Sequence, residues 1–354
     1  MTEHDCATTC PLIASRKPYY KELTAGRTYL WCSCGRSKRQ PYCDGRSHGG
    51  TGLEPVRYTA QRDGEEVLFC GCKHTATAPF CDGAHSNLPG GYKDAGADAD
   101  APRPAIVDPD ADGIARVDGR CFVISPGDAG TERYRLRKLV APSTGAEHQS
   151  QFHLSLHDGL SPVLQAGGTD AILWVTTGQG TIEIGNRSFA LQSPCGVYVR
   201  TGEAFRLTAT TPVIAYISAC PAVEELDTPS ELPGHFDDAW PDRVVAIDEA
   251  NRTAMGPRWF QMLVDKRIGS TTAAQFIGHI PTSRAEMHRH LYEEALIIMS
   301  GHGIIWNETS AARVAAGDVI FFPRKHLHSL ECTAPEGMDV VGIIHPGDNP
   351  GVNY

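Results

Sequence analysis

Residues 288–301 read H-R-H-L-Y-E-E-A-L-I-I-M-S-G, and residues 317–328 read G-D-V-I-F-F-P-R-K-H-L-H. Side chains alternate between the two faces of a strand, so His288 and His290 project the same way. Glu294 follows after a turn, shares the parity of Leu296 and Ile298, and is predicted to face the interior, whereas Glu293 faces outward. The second stretch brings a further imidazole back across the sheet. The pattern predicts one metal site, with the ligands His288, His290, Glu294 and His328.

Three neutral nitrogens and one anionic oxygen suit a divalent first-row metal and leave up to two coordination positions open for substrate and dioxygen. The spacing, HxH-x3-E-x6-G followed by G-x5-P-x4-H, resembles the two signature motifs of the cupin superfamily. Two residues depart from the motifs, because Thr282 and Lys325 stand where glycine is common. Neither position carries a ligand. The resemblance implies a jelly-roll β-barrel with the metal inside.

A second kind of motif occurs twice near the start of the chain. Residues 32–48 read C-S-C-G-R-S-K-R-Q-P-Y-C-D-G-R-S-H, and residues 70–85 read C-G-C-K-H-T-A-T-A-P-F-C-D-G-A-H. Both resemble the motif of the CDGSH iron–sulfur family, the mitoNEET-like proteins. The first copy carries one extra residue, Arg46, which leaves the ligand role of His48 less certain. The resemblance implies two sets of cluster ligands, Cys32, Cys34, Cys43 and His48, and Cys70, Cys72, Cys81 and His85.

These ligand types favour iron–sulfur clusters. Thiolates are soft donors, and replacing one thiolate by a neutral imidazole removes negative charge, which raises the reduction potential. A structural zinc site is the alternative, but zinc cysteines usually come as CxxC, whereas these come as CxC. The family binds one [2Fe–2S] cluster per motif, so the tandem implies two clusters. The chain has 12 cysteines; their clustering indicates metal binding in a reducing compartment.

The pattern of the whole chain predicts a mainly β protein, in which two cupin barrels follow a small tandem CDGSH domain. The cluster domain is assigned to residues 1–90, and a tether rich in Ala, Asp, Pro and Gly to residues 91–118. Short strands separated by glycines then indicate a first cupin at 119–225. Ala171 and Phe205 stand there where Glu294 and His328 stand in the second cupin, at 226–354. The first cupin is therefore degenerate and lacks the metal ligands.

Composition limits the partners and the location. The net charge is −10, and no basic stripe is present, which argues against a nucleic-acid partner. No apolar run is long enough to span a membrane, and the first residues lack the features of a signal peptide. We expect a cytoplasmic protein whose partners are a small-molecule substrate and O2, with a redox partner and a homodimer as further possibilities.

Two histidines outside the ligand set are candidates for catalysis. Gln275 and His279 share a strand face and would line the pocket if that face is interior; an outward His279 in a sheet contact is the alternative. His326 has the strand parity of His328. Candidate aromatic walls are Tyr292, Trp306 and Phe322. With Glu294, His279 and His326 form the predicted catalytic set.

The combination of an open metal site with two redox clusters favours an Fe(II) oxygenase that resembles quercetinase-like cupin dioxygenases and acts on an aromatic or heteroaromatic small molecule. Mn, Ni and Zn are less favoured metals, because an isomerase has no use for electrons. Whether the clusters feed the reaction or only maintain the iron stays open, because a dioxygenase has no net electron demand. Two alternatives remain: a redox sensor or cluster-transfer protein with an effector-binding cupin, and an O2-independent isomerase or lyase.

Overall fold

The computed structural model describes residues 10–89, 103–128, 130–347 and 349–354. Strands account for 44% of the structure and helices for 4%, which confirms the mainly β prediction. The four helices in the described residues are single 3-10 turns, at Ala84–Asn87, Pro142–Thr144, Glu249–Asn251 and Lys266–Ile268. No helix of this part of the chain has the length and hydropathy needed to cross a membrane.

The cluster region contains four short strands, β1 (Tyr19–Leu23), β2 (Thr28–Trp31), β3 (Val56–Thr59) and β4 (Glu65–Phe69). They form two antiparallel pairs, β1 with β4 and β2 with β3. Leu23, Trp31 and Phe69 make its core together with Cys70 and Cys72. So small a core supplies little stability by itself, and domains of this size commonly rely on bound metal.

The middle of the chain contributes strands β5 to β17. Their bounds are β5 (Ile114–Asp118), β6 (Cys121–Ile124), β7 (Tyr134–Val140), β8 (Ser150–Leu156), β9 (Gly159–Leu160), β10 (Leu164–Gln165), β11 (Asp170–Thr177), β12 (Gln179–Ile184), β13 (Arg187–Gln192), β14 (Cys195–Val199), β15 (Ala204–Ala209), β16 (Val213–Cys220) and β17 (Val244–Ala246). The six-stranded sheet β17-β14-β11-β16-β8-β7 faces a smaller sheet, β10-β15-β12-β13 with β9. An apolar core fills the space between these two sheets.

The last part of the chain builds the second barrel. Its strands are β18 (Thr253–Met255), β19 (Arg258–Val264), β20 (Ala274–Ile280), β21 (Ser283–Arg284), β22 (Glu293–Ile298), β23 (His302–Trp306), β24 (Ala311–Ala315), β25 (Val319–Phe322), β26 (Ser329–Cys332) and β27 (Met338–His345). The eight-stranded sheet β18-β19-β20-β27-β22-β25-β6-β5 faces the four-stranded sheet β21-β26-β23-β24. This barrel has its own core, which surrounds the predicted metal ligands.

Two domain boundaries differ from those that the sequence suggested. Strand β5 lies within the range assigned to the tether, and β6 at the start of the first cupin, yet β6 pairs with β25 of the second barrel. Strand β17, assigned to the second cupin, pairs with β14 of the first. The backbone groups of β25 and β14 are thus paired with strands that the sequence had assigned to another domain, and the sheet edges lie at β5 and β17 instead.

The outer faces of the two large sheets pack against each other. The core between them includes Trp174, Tyr198, Phe321 and Ile297. Glu293 points out of its barrel as predicted, but into this contact, where it is 1% exposed. Its carboxylate accepts hydrogen bonds from the backbone N–H groups of residues 147, 148 and 149, at 2.9, 2.7 and 3.0 Å. One buried carboxylate therefore joins the two barrels.

We expect Glu293→Ala to lower the free energy of unfolding by about 3 kcal/mol, because three backbone donors lose their acceptor. Urea unfolding followed by intrinsic fluorescence measures this. Glu147→Gln is the control, since the Glu147 side chain is 59% exposed and its removal should have little effect. Equal midpoints for the two variants would contradict the role given to Glu293.

Candidate metal centre and cluster loops

The four predicted metal ligands meet in the interior of the second barrel. His288 and His328 form an antiparallel bridge, and the ring centroid of His328 lies 4.5 Å from that of His288 and 5.0 Å from that of His290. Nε2 of His290 is 3.3 Å from Oε2 of Glu294. His290, Glu294 and His328 are buried at this centre, and His288 is partly buried. The four side chains named by the sequence motif thus form one compact group of possible metal ligands.

Backbone carbonyls hold each imidazole in one orientation. Nδ1 of His288 lies 2.8 Å from the carbonyl of Glu286, Nδ1 of His290 lies 2.8 Å from that of Tyr292, and Nδ1 of His328 lies 2.9 Å from that of His326. A carbonyl oxygen only accepts, so Nδ1 must carry the proton, and the lone pair of each ring is on Nε2. Fixing a tautomer in this way is the usual support for metal-binding imidazoles.

The residues fit a metal ion. Nε2 of His290 is buried and has no hydrogen-bond partner, although a carboxylate oxygen is close, and an ion between them would satisfy both groups. Burial lowers the pKa of His288 to about 4 and that of His290 to about 3, so both rings are neutral and ready to coordinate near pH 7. No three His, Cys, Asp or Glu side chains of the described residues already stand in closed metal-binding geometry. Binding would draw these side chains together.

Glu294 is the acidic member of the group. Burial raises its pKa to about 8, because the apolar wall around it disfavours the charged carboxylate. In the metal-free protein this carboxyl therefore holds a proton near neutral pH, and a cation must displace that proton to bind.

A cavity of about 160 Å³ lies over the ligands. Most of its inner wall is apolar, with Phe260, Phe276, Tyr292, Leu296, Phe322 and Leu330. Tyr292 stacks on His290 at 4.1 Å, and Phe322 lies 4.2 Å from His328. Two of the three predicted aromatic walls therefore line it, whereas Trp306 packs under Arg284 at 4.2 Å.

Neither of the two histidines proposed for catalysis belongs to the group of metal ligands. The interior face of β20 carries Phe276 and Ile280, so Gln275 and His279 have the opposite parity. Gln275 donates to the carbonyl of Leu173 in the first barrel. His279 lines the cavity, but its Nδ1 is 2.8 Å from a carboxylate oxygen of Asp339 and its ring stacks on Trp259 at 6.2 Å. Of the two alternatives left open by the sequence, the strand face of Gln275 and His279 is thus the outward one, although His279 still takes part in the cavity lining.

His326 faces away from the cavity despite its parity with His328. Its Nε2 lies 3.8 Å from Asp118 of β5, the strand that the sequence had assigned to the tether. Because β5 lies at the edge of the large sheet beyond β6, the ring turns toward that edge. We therefore leave His326 out of the site.

Several other residues that line the cavity were not among those expected from the sequence. Arg258 is 9% exposed and lines the cavity, together with Arg16, Lys17, His85 and Ser86 of the cluster region. Arg258 could have been found by its strand parity with Phe260. The others could not, because no local pattern records which surface of one domain covers another.

The two CxC…H segments have the same local structure. We call residues 32–48 the first cluster loop and residues 70–85 the second. Cys32 N donates to the carbonyl of Pro41 at 2.9 Å, and Cys70 N to that of Pro79, also at 2.9 Å. Each loop brings its CxC sulfurs together, at 3.6 and 3.5 Å.

The extra residue in the first cluster loop does not move its histidine away. Nδ1 of His48 lies 3.3 Å from Sγ of Cys43, and Nδ1 of His85 lies 3.5 Å from Sγ of Cys81. The Ser47 hydroxyl donates to Asp44 at 2.7 Å, and the backbone N–H groups of Arg46 and Ser47 bond the same carboxylate. The insertion is thus taken up in the turn around Asp44, and both loops present three sulfurs and one Nδ1.

A lysine of the second cluster loop extends toward the first. Lys73 is 6% exposed, its Nζ donates to the carbonyl of Cys70 at 2.9 Å and lies 4.7 Å from the ring centre of Trp31. Burial lowers its pKa, while the thiolates of Cys32, Cys70, Cys72 and Cys34 oppose that shift. One cation therefore acts on both CxC pairs.

We expect Mn(II) affinity to rise about tenfold per pH unit up to pH 8, because deprotonation of Glu294 must precede binding. The histidines titrate well below this range and add no slope. Titration calorimetry on cluster-loaded protein measures it, with Mn(II) chosen because thiolates bind it poorly. Glu294→Gln should bind more weakly at pH 8 and lose the slope; a slope that persists in this variant would contradict the assignment.

We expect Lys73→Met to lower the reduction potentials of both clusters, because a nearby positive charge stabilises the added electron. Spectroelectrochemical titration of wild type and variant measures the shift. Lys38→Met is the matched control, since Lys38 lies in the first cluster loop but is exposed. A shift confined to one cluster would contradict the shared role of Lys73.

Comparisons with known proteins agree with these two kinds of site. Residues 279–344 match the family model described as Cupin domain. The N-terminal region is similar to the CDGSH iron-sulfur domain-containing protein 3, mitochondrial, of Mus musculus, with 55% identity over 53 residues, or 14% of this chain and 38% of that protein. The Homo sapiens protein of the same name is 54% identical over 52 residues, or 14% and 40%. The chain thus spans less than half the length of either relative.

Among solved structures, the Lactobacillus farciminis oxalate decarboxylase formate complex resembles this chain with a TM-score of 0.50 and 13% identity, over 66% of this chain and 87% of that one. That likeness concerns the fold alone. The fold, the motifs and the matches agree: this chain joins an N-terminal region homologous to CDGSH iron–sulfur domains to a bicupin fold whose second barrel is a cupin domain.

Proposed function

We propose that the second barrel is a metal-dependent enzyme, an Fe(II)- and O2-dependent oxygenase that acts on a small aromatic or heteroaromatic molecule. The observation that carries this proposal is the apolar cavity, which is lined by Glu294 and by three imidazoles that backbone carbonyls hold in one orientation. A ferrous ion held by these residues would supply redox chemistry with dioxygen.

The walls of the cavity suit a flat apolar substrate. Phe260, Phe276 and Phe322 offer ring faces and edges, and Leu296 and Leu330 fill the space between them. Such walls exclude bulk water and hold an aromatic body by contact area. On the side of the cluster region the cavity is lined by Arg16, Lys17, His85 and Ser86.

The charges around the cavity favour a substrate with an acidic group. Arg258 is the buried cation at the inner wall, and its Nη2 lies 3.4 Å from the hydroxyl of Ser283. A guanidinium suits a carboxylate or a phenolate. Lys17 also lines the cavity, where it pairs with Glu286 at 3.2 Å. We infer an aromatic acid or hydroxy acid.

Glu294 has two roles in this proposal. As a carboxylate it completes the ligand set, and as a carboxyl it holds a proton, because burial raises its pKa to about 8. Once a bound metal has displaced that proton, the carboxylate would be able to leave the metal and accept the proton of a substrate hydroxyl. The clusters would maintain the iron in its ferrous state or supply electrons for turnover, which is why Fe(II) is favoured over Mn, Ni or Zn.

The proposed partners follow from the same features. They are the substrate, O2 and an external electron donor in the cytoplasm. The net charge of −10 disfavours a nucleic-acid partner. A homodimer is compatible with this proposal.

The test begins with metal analysis of anaerobically purified protein. We expect about five irons and four acid-labile sulfides per chain, two clusters plus one further ion. O2 consumption is then measured with a panel of aromatic acids and hydroxy acids. His290→Ala should abolish substrate-dependent O2 uptake and leave the cluster absorbance unchanged, and Arg258→Met should raise KM for acidic members of the panel more than for their neutral amides.

Other results would redirect the proposal. Turnover without O2, on Mn, Ni or Zn, would favour an isomerase or lyase. An absent cupin metal with effector-dependent cluster behaviour would favour a sensor or cluster-transfer protein. Activity that survives His290→Ala would contradict the site itself.

A further inference from the structure

The second cluster loop contributes to the lining of the cavity, and the first does not. Of the described residues before 103, the cavity is lined by Arg16, Lys17, His85 and Ser86, and none of residues 32–48 takes part. His85 is the predicted histidine ligand of the second cluster. It is 7% exposed, because the second barrel covers it. His48, its counterpart, instead lies 3.8 Å from Glu54 within the cluster region.

Hydrogen bonds clamp the second cluster loop on both sides of its histidine. Nδ2 of Asn87 donates to the carbonyl of Ala254 at 2.8 Å, and the N–H of Gly256 donates to Oδ1 of Asn87 at 3.0 Å. Nδ2 of Asn349 donates to the carbonyl of Asp82 at 3.0 Å. Asp82 follows Cys81 directly. The backbone around two predicted cluster ligands is therefore held by the barrel.

A salt bridge connects this contact to the metal ligands. Glu66 of β4 pairs with Nη2 of Arg324 at 3.0 Å and with the Lys325 ammonium group. Arg324 and Lys325 lie between β25 and His328, and Lys325 N donates to the carbonyl of His290 at 2.9 Å. Lys325 occupies the position where the cupin motif often has glycine, and its φ is 63°. Its side chain is what reaches the cluster region.

We propose that the second cluster is the electron port of the cupin cavity, that is, the group that delivers electrons to the metal ion there. His85 lies on the side of the cluster that faces the cavity, and the ion pairs of Glu66 with Arg324 and Lys325 hold the cluster region against the barrel. One electron leaves the reduced second cluster, which returns to its oxidised state, and reduces one ferric ion in the cavity to the ferrous state, with no bond made or broken. An external one-electron donor of the flavodoxin or ferredoxin class reduces the clusters. This inference rests on the proposed iron site.

The first cluster is the entry side in this scheme. Trp31, directly before Cys32, donates from Nε1 to the carbonyl of Cys70 at 3.0 Å, so the two loops share a buried hydrogen bond. The His48 side chain is 23% exposed and does not line the cavity. A buried hydrogen bond thus connects the first loop to the second, and His85 connects the second loop to the cavity.

The experiment compares proteins with one cluster each. Cys43→Ser removes a ligand of the first cluster, and Cys81→Ser one of the second. Each chain is loaded with Fe(III) or with redox-inert Zn(II) in the cupin, given one electron by flash photoreduction, and followed by cluster absorbance and the ferric electron paramagnetic resonance signal. We expect the reduced cluster of Cys43→Ser to decay rapidly with Fe(III), with loss of the ferric signal, and not with Zn(II). Cys81→Ser should lack this iron-dependent phase.

A milder pair of variants keeps both clusters. Glu66→Gln breaks the pair with Arg324 and Lys325, and Glu54→Gln is the matched change beside the first cluster loop. We expect the iron-dependent phase to slow in Glu66→Gln only. Equal decay in Cys43→Ser and Cys81→Ser with iron bound would overturn the port alone, whereas a cupin that binds no iron would overturn the port and the proposed oxygenase together.

Discussion

Three imidazoles that donate Nδ1–H to backbone carbonyls are the feature on which the second barrel's chemistry depends. Each bond settles the tautomer and turns Nε2 toward the same apolar space. Without that support, burial of these rings beside Glu294 would leave polar groups without partners, at a cost of a few kcal/mol each. The backbone carbonyls stabilise the arrangement of the rings. The ligand group would be reactive because the cavity leaves it accessible to a small molecule.

The first barrel shows what the same scaffold becomes without these ligands. Ala171 and Phe205 are buried in its apolar core, and the matching turns still begin with glycines at positive φ, Gly178 and Gly301. The first barrel therefore has the turn geometry of the second barrel without its polar interior. What the first barrel contributes is contact area, exchanged edge strands and the backbone donors that bind Glu293. It supports the second barrel as a rigid neighbour.

The two cluster loops are nearly equal in local structure, yet they have different surroundings. Both bring sulfur and Nδ1 donors together at similar distances, and Lys73 acts on both. The difference comes from the packing of the cluster region on the barrel, since Asn87, Asp82 and Glu66 contact it. The two similar motifs thus differ in position, because the second loop lines the cavity and the first does not.

The sequence by itself determined the fold class, the identity of the two motif families and the four donors that meet in the second barrel. These follow from local pattern, because strand parity and ligand spacing are properties of a short segment. Only the tertiary structure decided that β6 and β17 are exchanged, that the face of His279 is turned outward, that His326 points to Asp118, and that Arg258 and His85 line one cavity. These depend on which surfaces pack together, and packing is set by contacts between residues far apart in the chain. Lys325 illustrates the difference: the sequence shows it as a departure from a motif, and only the fold shows Glu66 opposite it.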